Sequence, residues 1–164
     1  MERAMRRFRQ ALPQDACEDI LRRGTSGVLA LHDEDGPYAV PLSYVYAEGK
    51  IIFHCARQGH KLDCIRHDDR CSFCVTDQDE IVPERFTTHF RSAIAFGRIR
   101  VVENVEEMRA LTAVLGEKYN PGHPAELAAE IDGALSRLCV LVMDVNRLTG
   151  KEARELMEQR RGQP

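Results

Sequence analysis

"IIFHCARQGHKLDCIR", residues 51–66, opens on an apolar run of β type and closes on a helical pattern, with His54, Gly59, His60 and Lys61 gathered where one gives way to the other. Ile51, Ile52 and Phe53 favour a strand, while Leu62, Cys64 and Ile65 supply the inner face of a short helix that ends near "HDDR". A helix that begins near Gly59 turns its first free N–H groups, and its positive dipole end, toward whatever lies past the strand. Lysine in that first turn opposes the dipole by about 0.3–1 kcal/mol. Two readings follow. Lys61 is solvated surface and His54 a core histidine bonded to a carbonyl, or the stretch holds an anion. In the second reading Gly59 allows close approach, Lys61 supplies charge, and His54 and His60 donate hydrogen bonds. No Gly-x-Gly-x-x-Gly and no Walker-type lysine motif occurs, which speaks against the usual dinucleotide and nucleoside triphosphate sites.

Upstream, "TSGVLALHDEDGPYAVPLSYVYAEGKIIFHCA" (25–56) contains three β-type runs separated by the hairpin signals "DEDG" and "AEGK". Pro37 and Pro41 lack a ladder donor, so the middle run is expected at an edge or a bulge where a ligand can enter. A lead helix is expected from Pro13 to Gly24. Downstream, Cys71–Thr76 reads as a strand, 77–90 ("DQDEIVPERFTTHF") as an irregular connector, and 91–103 ("RSAIAFGRIRVVE") as a strand with a bulge at Gly97. Asn104 caps a helix whose stripe is Met108, Leu111, Leu115 and Tyr119. A weaker helix over Pro124–Leu135 and a buried strand over 137–145 follow, and 149–164 reads as a solvated, fraying helix. Hairpin-linked strands with segregated helices predict one mainly β domain spanning residues 1–164: an antiparallel barrel with peripheral helices, the first helix and the tail lying outside it.

Composition agrees with a globular chain: 43% hydrophobic and 30% charged residues, with no apolar run of the roughly 18 residues that spans a bilayer. The N-terminal arginines (Arg3, Arg6, Arg7 and Arg9) are followed by no apolar segment of signal-peptide kind, so a cytoplasmic location is expected. A net charge of −3 speaks against nucleic acid as partner. The six cysteines are expected to be reduced. Cys71 and Cys74 have Cys-x-x-Cys spacing, but on a strand positions i and i+3 face opposite ways, so they read as structural and no metal site is expected.

The run "YAVPLSYVYAEGKIIFHCARQGHKLDCIRHDDRCSFCV", followed by "RSAIAFGRIRVVEN", resembles the pyridoxamine 5′-phosphate oxidase-like flavoproteins, and within them the 5-nitroimidazole-resistance branch. The likeness covers about Gly24 to Gly150 and is most specific at Phe53-His54-x-Ala56-x-x-Gly59-x-Lys61. It implies an FMN-binding split β-barrel and a homodimer with FMN at the subunit interface. By that resemblance Lys61 is the charge partner of the flavin phosphate, with His54, Ala56, Gly59 and His60 around it. The ring lies along "VPLSYV", contacted by backbone at Val40, Leu42 and Ser43, with Tyr44 packed nearby. Cys74 and Thr76 come close to the cofactor, and Arg91 and Ser92 offer a polar contact from a neighbouring strand. The implied function is an FMN-dependent oxidoreductase that passes electrons from a reduced nicotinamide or other donor to a small aromatic acceptor such as a nitro compound, with His54 as the one candidate catalytic side chain. Alternatives are a non-catalytic FMN-binding, redox-sensing or electron-carrying protein, and a haem-handling barrel that uses His89 or His123. Pyridoxamine-phosphate oxidation is disfavoured, because the tail lacks the arginine-rich substrate segment of true oxidases.

Overall fold

Tyr44 is where the chain changes partners. In the computed structural model, which describes residues 5–162, strands β1 (Ser26–Asp33) and β2 (Gly36–Ser43) form one hairpin, and β3 (Val45–Ala47) and β4 (Lys50–Ala56) form the next. The sheet order is β2-β1-β5-β6-β7-β4-β3, antiparallel at every step, with β5 (Arg70–Val82), β6 (Thr87–Val101) and β7 (Leu138–Glu152) in the middle. The two strands flanking Tyr44 therefore stand at opposite ends of the order. β2 also lies against β4, which brings those ends together as a barrel. Both expected turns are present: Asp33 pairs with Gly36, and Glu48 and Gly49 both take positive φ, as a two-residue hairpin turn requires. The proline-bearing strand is β2, an edge of the order, as its missing donors predict.

Alternation sorts the core. Leu29, Phe53, Phe73, Val75, Ala93, Ala95, Leu141 and Met143 are buried in one cluster, with Phe73 meeting Tyr44 and Phe53 edge-on at centroid distances of 4.7 and 5.0 Å. Ile52, Val140 and Val142 face the other way and pack with Val102, Met108 and Leu115, so helix α3 (Val105–Tyr119) covers the outer face of β4 and β7. The Asn104 side chain caps that helix, accepting from the Glu107 N–H at 2.9 Å. Helix α4 (Pro124–Ala134) folds back on α3. Among the described residues no helix is long and apolar enough to cross a membrane.

Three expectations need correction. The connector over 77–90 is mostly strand: β5 runs on to Val82, turns through Pro83–Arg85, and returns from Thr87, paired residue for residue after a register shift between Thr76 and Gln78. Its polar composition hid a two-stranded arm whose side chains meet solvent, with Ile81 and Phe86 exposed near its tip. Secondly, β7 continues through Glu152, because β6 offers it ladder partners as far as Arg91, and the tail helix α5 spans Arg154–Gly162 with Leu156 buried. Thirdly, the lead helix α1 (Gln14–Arg23) inserts Cys17, Ile20 and Leu21 into the main core, so it is part of the barrel's interior packing.

Two contacts fix this arrangement. The register of β6 shifts between Phe96 and Gly97, and a Cβ at Gly97 would fall on the carbonyl of Asp144 in β7. The end of α3 is tied to the Tyr44 crossing: the Tyr119 hydroxyl accepts from the Tyr44 N–H at 3.0 Å and lies 2.7 and 2.8 Å from the carbonyls of Thr25 and Tyr44, to one of which it donates. Lys118 Nζ donates to the carbonyls of Gly24 and Tyr44 at 2.5 and 3.1 Å.

Gly97→Ala should therefore destabilise the protein by about 2 kcal/mol or more, since two backbones must separate, and urea unfolding followed by circular dichroism measures it. Tyr119→Phe should cost about 1–2 kcal/mol in the same assay by leaving the Tyr44 N–H without its acceptor.

Candidate functional site

Helix α2 (His60–His67) starts directly after Gly59, which has φ 136° and ψ 162°. That conformation belongs essentially to glycine, and nothing lies within 4 Å of where a Cβ would be. The backbone is thus open to close approach at the point where the first amides of α2 are free. Lys61 has no carboxylate partner among the described residues. Its ammonium group acts instead on the Cys55 thiol, partly offsetting the burial and the neighbouring Cys139 that together still leave that pKa pushed up to about 12. His60 is differently engaged: its Nε2 lies 2.6 Å from Asp33 Oδ2, and its ring stands on that of Tyr38 at 4.2 Å. The His60 hydrogen bond is the main reason that the Asp33 carboxyl sits below its usual range, with a weaker contribution from Cys64. Asp33 was missed in the sequence because it lies 27 residues from His60, in a turn whose acidic residues read only as a hairpin signal.

A second feature lies on the outer face of β4. His54 alternates with the buried Phe53, so it points away from the barrel core into a cavity of about 360 Å³ that Ser43 also lines. The α3–α4 hairpin forms the other wall through Thr112, Leu115, Gly116, Tyr119, Leu127 and Ile131, with Asn120 and Glu130 at polar positions. The lining is largely apolar with few polar groups, the character of a small-molecule pocket. None of the helical residues stands out in the sequence, where the same 3.6-residue stripe reads as ordinary core.

The remaining expected residues divide between these places and a third. Val40 and Leu42 turn their side chains toward the core, leaving their backbone on the edge strand as the part able to meet a ligand. Tyr44 is fully buried, and its hydroxyl has no hydrogen-bond partner among the described residues. Ala56 is exposed at the end of β4. Cys74 and Thr76 share the outward face of β5, and Ser92 stands directly opposite Thr76 on β6. None of these three lines the His54 cavity. Arg91 lies between two carboxylates, 3.6 Å from Asp77 and 3.3 Å from the fully buried Glu152. Glu152 also receives Arg160 at 2.7 Å, so Arg91 belongs to an ion-pair network that joins β6, β7 and α5. Of the two candidate haem histidines, His89 is within 3.9 Å of Glu80 and has its Nε2 buried without a partner among the described residues, while His123 is exposed beside Glu126.

All six cysteines are free. Burial is the leading cause that pushes up the thiols of Cys17, Cys55, Cys64, Cys71 and Cys74, which keeps them protonated near neutral pH and unsuited to thiolate nucleophilic chemistry. Cys71 and Cys74 lie on β5 as expected, with Cys71 packed against the core.

Comparison with known proteins places this geometry. The chain is 24% identical over 153 residues to an uncharacterised protein of Rhizobium meliloti (strain 1021), covering 89% of this chain and 96% of that one. Among solved structures it shares its fold with a candidate 5-nitroimidazole antibiotic resistance protein from Bacteroides thetaiotaomicron (TM-score 0.74, 20% identity, 87% of this chain and 86% of that). The same fold occurs in a FAD and haem binding protein from Mycobacterium smegmatis (TM-score 0.76, 19% identity, 88% and 74%) and in a conserved hypothetical protein from Mycobacterium tuberculosis (TM-score 0.78, 20% identity, 93% and 92%). The profile of one family matches residues 13–152, which is the whole barrel together with α1. By that match the chain belongs to the pyridoxamine 5′-phosphate oxidase family.

Proposed function

We propose that this protein binds FMN and acts as a homodimeric FMN-dependent oxidoreductase, taking electrons from a reduced nicotinamide or another donor and passing them to a small aromatic acceptor such as a nitro compound. The observation that carries the reading is Lys61: a lysine without a carboxylate partner among the described residues, in the first turn of a helix led by a glycine in a glycine-only conformation with open space above it. A phosphate dianion there would accept from the α2 amides and offset the unfavourable Lys61–dipole pairing. The residues present fit such a group. His60, held by Asp33, stands beside the cradle, and Lys61 is its cation.

A bound flavin would supply the hydride and electron chemistry, which side chains alone do not provide. The chain contributes position and shelter. The exposed backbone edge of β2 at Val40, Leu42 and Ser43 offers hydrogen bonds to the polar rim of a ring system, and the cavity between His54 and the α3–α4 hairpin would take a flat aromatic acceptor. His54 is the side chain able to donate a proton there. Homodimer formation would bring the Cys74, Thr76 and Ser92 surface of one subunit toward the other's cofactor, and the exposed Ile81 and Phe86 of the β5–β6 arm suit burial against a partner. Vitamin B6 oxidation is less well supported. Of the three tail arginines, Arg154 and Arg160 are paired with Glu158 and Glu152 and so are already committed to carboxylates.

Protein purified from an expressing culture should show flavin absorption, with FMN released on denaturation and identified by mass. Release of FAD would replace FMN in this reading, and a colourless protein that takes up neither would remove it. Lys61→Ala should weaken FMN binding by about 1.5–3 kcal/mol, roughly 10- to 150-fold, in a fluorescence titration. Holoprotein should oxidise NADH or NADPH in the presence of nitroaromatic compounds, and His54→Ala should lower that turnover about 10²-fold or more if His54 delivers the proton. Absence of turnover with every donor and acceptor, with FMN retained, would point to the carrier or sensor role instead.

A further inference from the structure

Asp33, His60 and Cys64 converge on one point from two elements that are far apart in sequence. His60 and Cys64 are one helical turn apart on the face of α2 packed toward β1, and Asp33 is the last residue of that strand. His60 Nε2 is 2.6 Å and Cys64 Sγ 3.3 Å from the same oxygen, Asp33 Oδ2, and the three donor atoms all lie within 4.8 Å of one another. We propose that these three side chains form a binding site for a zinc-class divalent cation, distinct from the Lys61 anion cradle and leaving one coordination position for water or a small ligand.

The geometry is close to what the ion requires. Zinc bonds of about 2.0–2.3 Å in a tetrahedron place donors about 3.3–3.8 Å apart, so entry of the ion needs His60 and Asp33 to separate by under about 1 Å. One imidazole nitrogen, one thiolate and one carboxylate oxygen form a mixed set of intermediate softness, which suits zinc better than calcium or magnesium. A histidine and a second ligand at i and i+4 on one helix face is also a spacing that lets both reach one metal. Loss of the Cys64 proton to solvent on binding gives a charge sum of +2 from the metal and −1 each from Cys64 and Asp33. That neutral result fits a site where Cys64 is fully buried and Asp33 mostly so, with His60 the most open to water at 48% side-chain exposure.

The surroundings hold the ligands as outer-shell groups do around metals. The other Asp33 oxygen, Oδ1, accepts from the Asp35 N–H at 3.0 Å, which fixes the carboxylate so that Oδ2 points at His60 and Cys64. The Tyr38 ring supports the imidazole from one side. Without a cation, the arrangement holds a buried thiol against a carboxylate that also tends to raise its pKa, a pairing that adds little stability by itself.

The full-length protein, stripped with chelator and then titrated with Co²⁺, tests the site. One equivalent per chain should give near-ultraviolet thiolate-to-cobalt charge-transfer absorption with intense visible bands of tetrahedral type, and Zn²⁺ should abolish them by displacement. Cys64→Ser should remove the charge-transfer band, and His60→Gln and Asp33→Asn should each weaken Zn²⁺ binding at least tenfold in competition with a chromophoric chelator. His60 is surface-accessible, so that variant keeps the test valid if Cys64→Ser fails to fold. Absence of the charge-transfer band at one equivalent, its persistence in Cys64→Ser, or Zn²⁺ affinity unchanged in His60→Gln would overturn the proposal.

Discussion

The structure depends on the way the chain passes Tyr44. The residue before it ends a strand at one end of the sheet order, and the residue after it begins a strand at the other end, so this single crossing turns an open meander into a barrel. Such a crossing breaks both ladders and strands the polar backbone groups of one residue in the core, which is costly unless they are bonded. Here the Tyr44 N–H and carbonyl are taken up by Tyr119 and Lys118 from the last turn of α3, and the ring is wedged against Phe73. Helix α3 is thus a fixed part of the barrel. Burial depresses the Lys118 pKa, yet its ammonium stays useful there because two carbonyls and the Tyr44 ring face it, the latter at 4.5 Å.

The same anchoring builds the cavity. With Tyr119 held at the crossing, the preceding turns of α3 run over β4, where Leu115 packs with Ile52 and Val140 and, with Thr112 and Gly116, lines the same cavity as His54. Gly116 is packed against Leu127 of α4, with no room for a Cβ, so the two helices approach closely and the hairpin forms a wall. A site made in this way is preorganised by the contacts that close the barrel, and a weakened Tyr44 crossing would loosen the pocket as well as the fold.

Much of this was legible in residues 51–66 and their neighbours, because local rules governed those segments: β-type residues before Gly59, a helical stripe after it, and proline on the strand that proved to be an edge. The arm at 77–90 was not legible. Its strands pair with each other in solvent, so no apolar alternation marks them, and only the long-range register from Gln78–Arg91 to Val82–Thr87 defines them. The extension of β7 to Glu152 was hidden for a similar reason. Its polar end is stabilised by pairing with β6 and by the Arg91 and Arg160 charges on Glu152, none of which has a local signature. Within the site, His54, Gly59 and Lys61 could be singled out from chemistry and spacing, whereas the cavity wall and Asp33 required the tertiary fold.

Asp33 also changes how the first turn of α2 should be understood. Two adjacent cationic-type residues after a glycine look like a doubled anion grip, but successive helical residues point about 100° apart. His60 turns toward β1 and the Asp33 carboxylate, while the charge of Lys61 acts on Cys55 of β4. A carboxylate beside His60 would repel a phosphate held by that imidazole, whereas Lys61 has no carboxylate against it among the described residues. The helix start therefore carries two different arrangements, a lysine with no carboxylate partner among the described residues and an acid-imidazole-thiol cluster, and the division follows from helical geometry acting on neighbours that the barrel brings together.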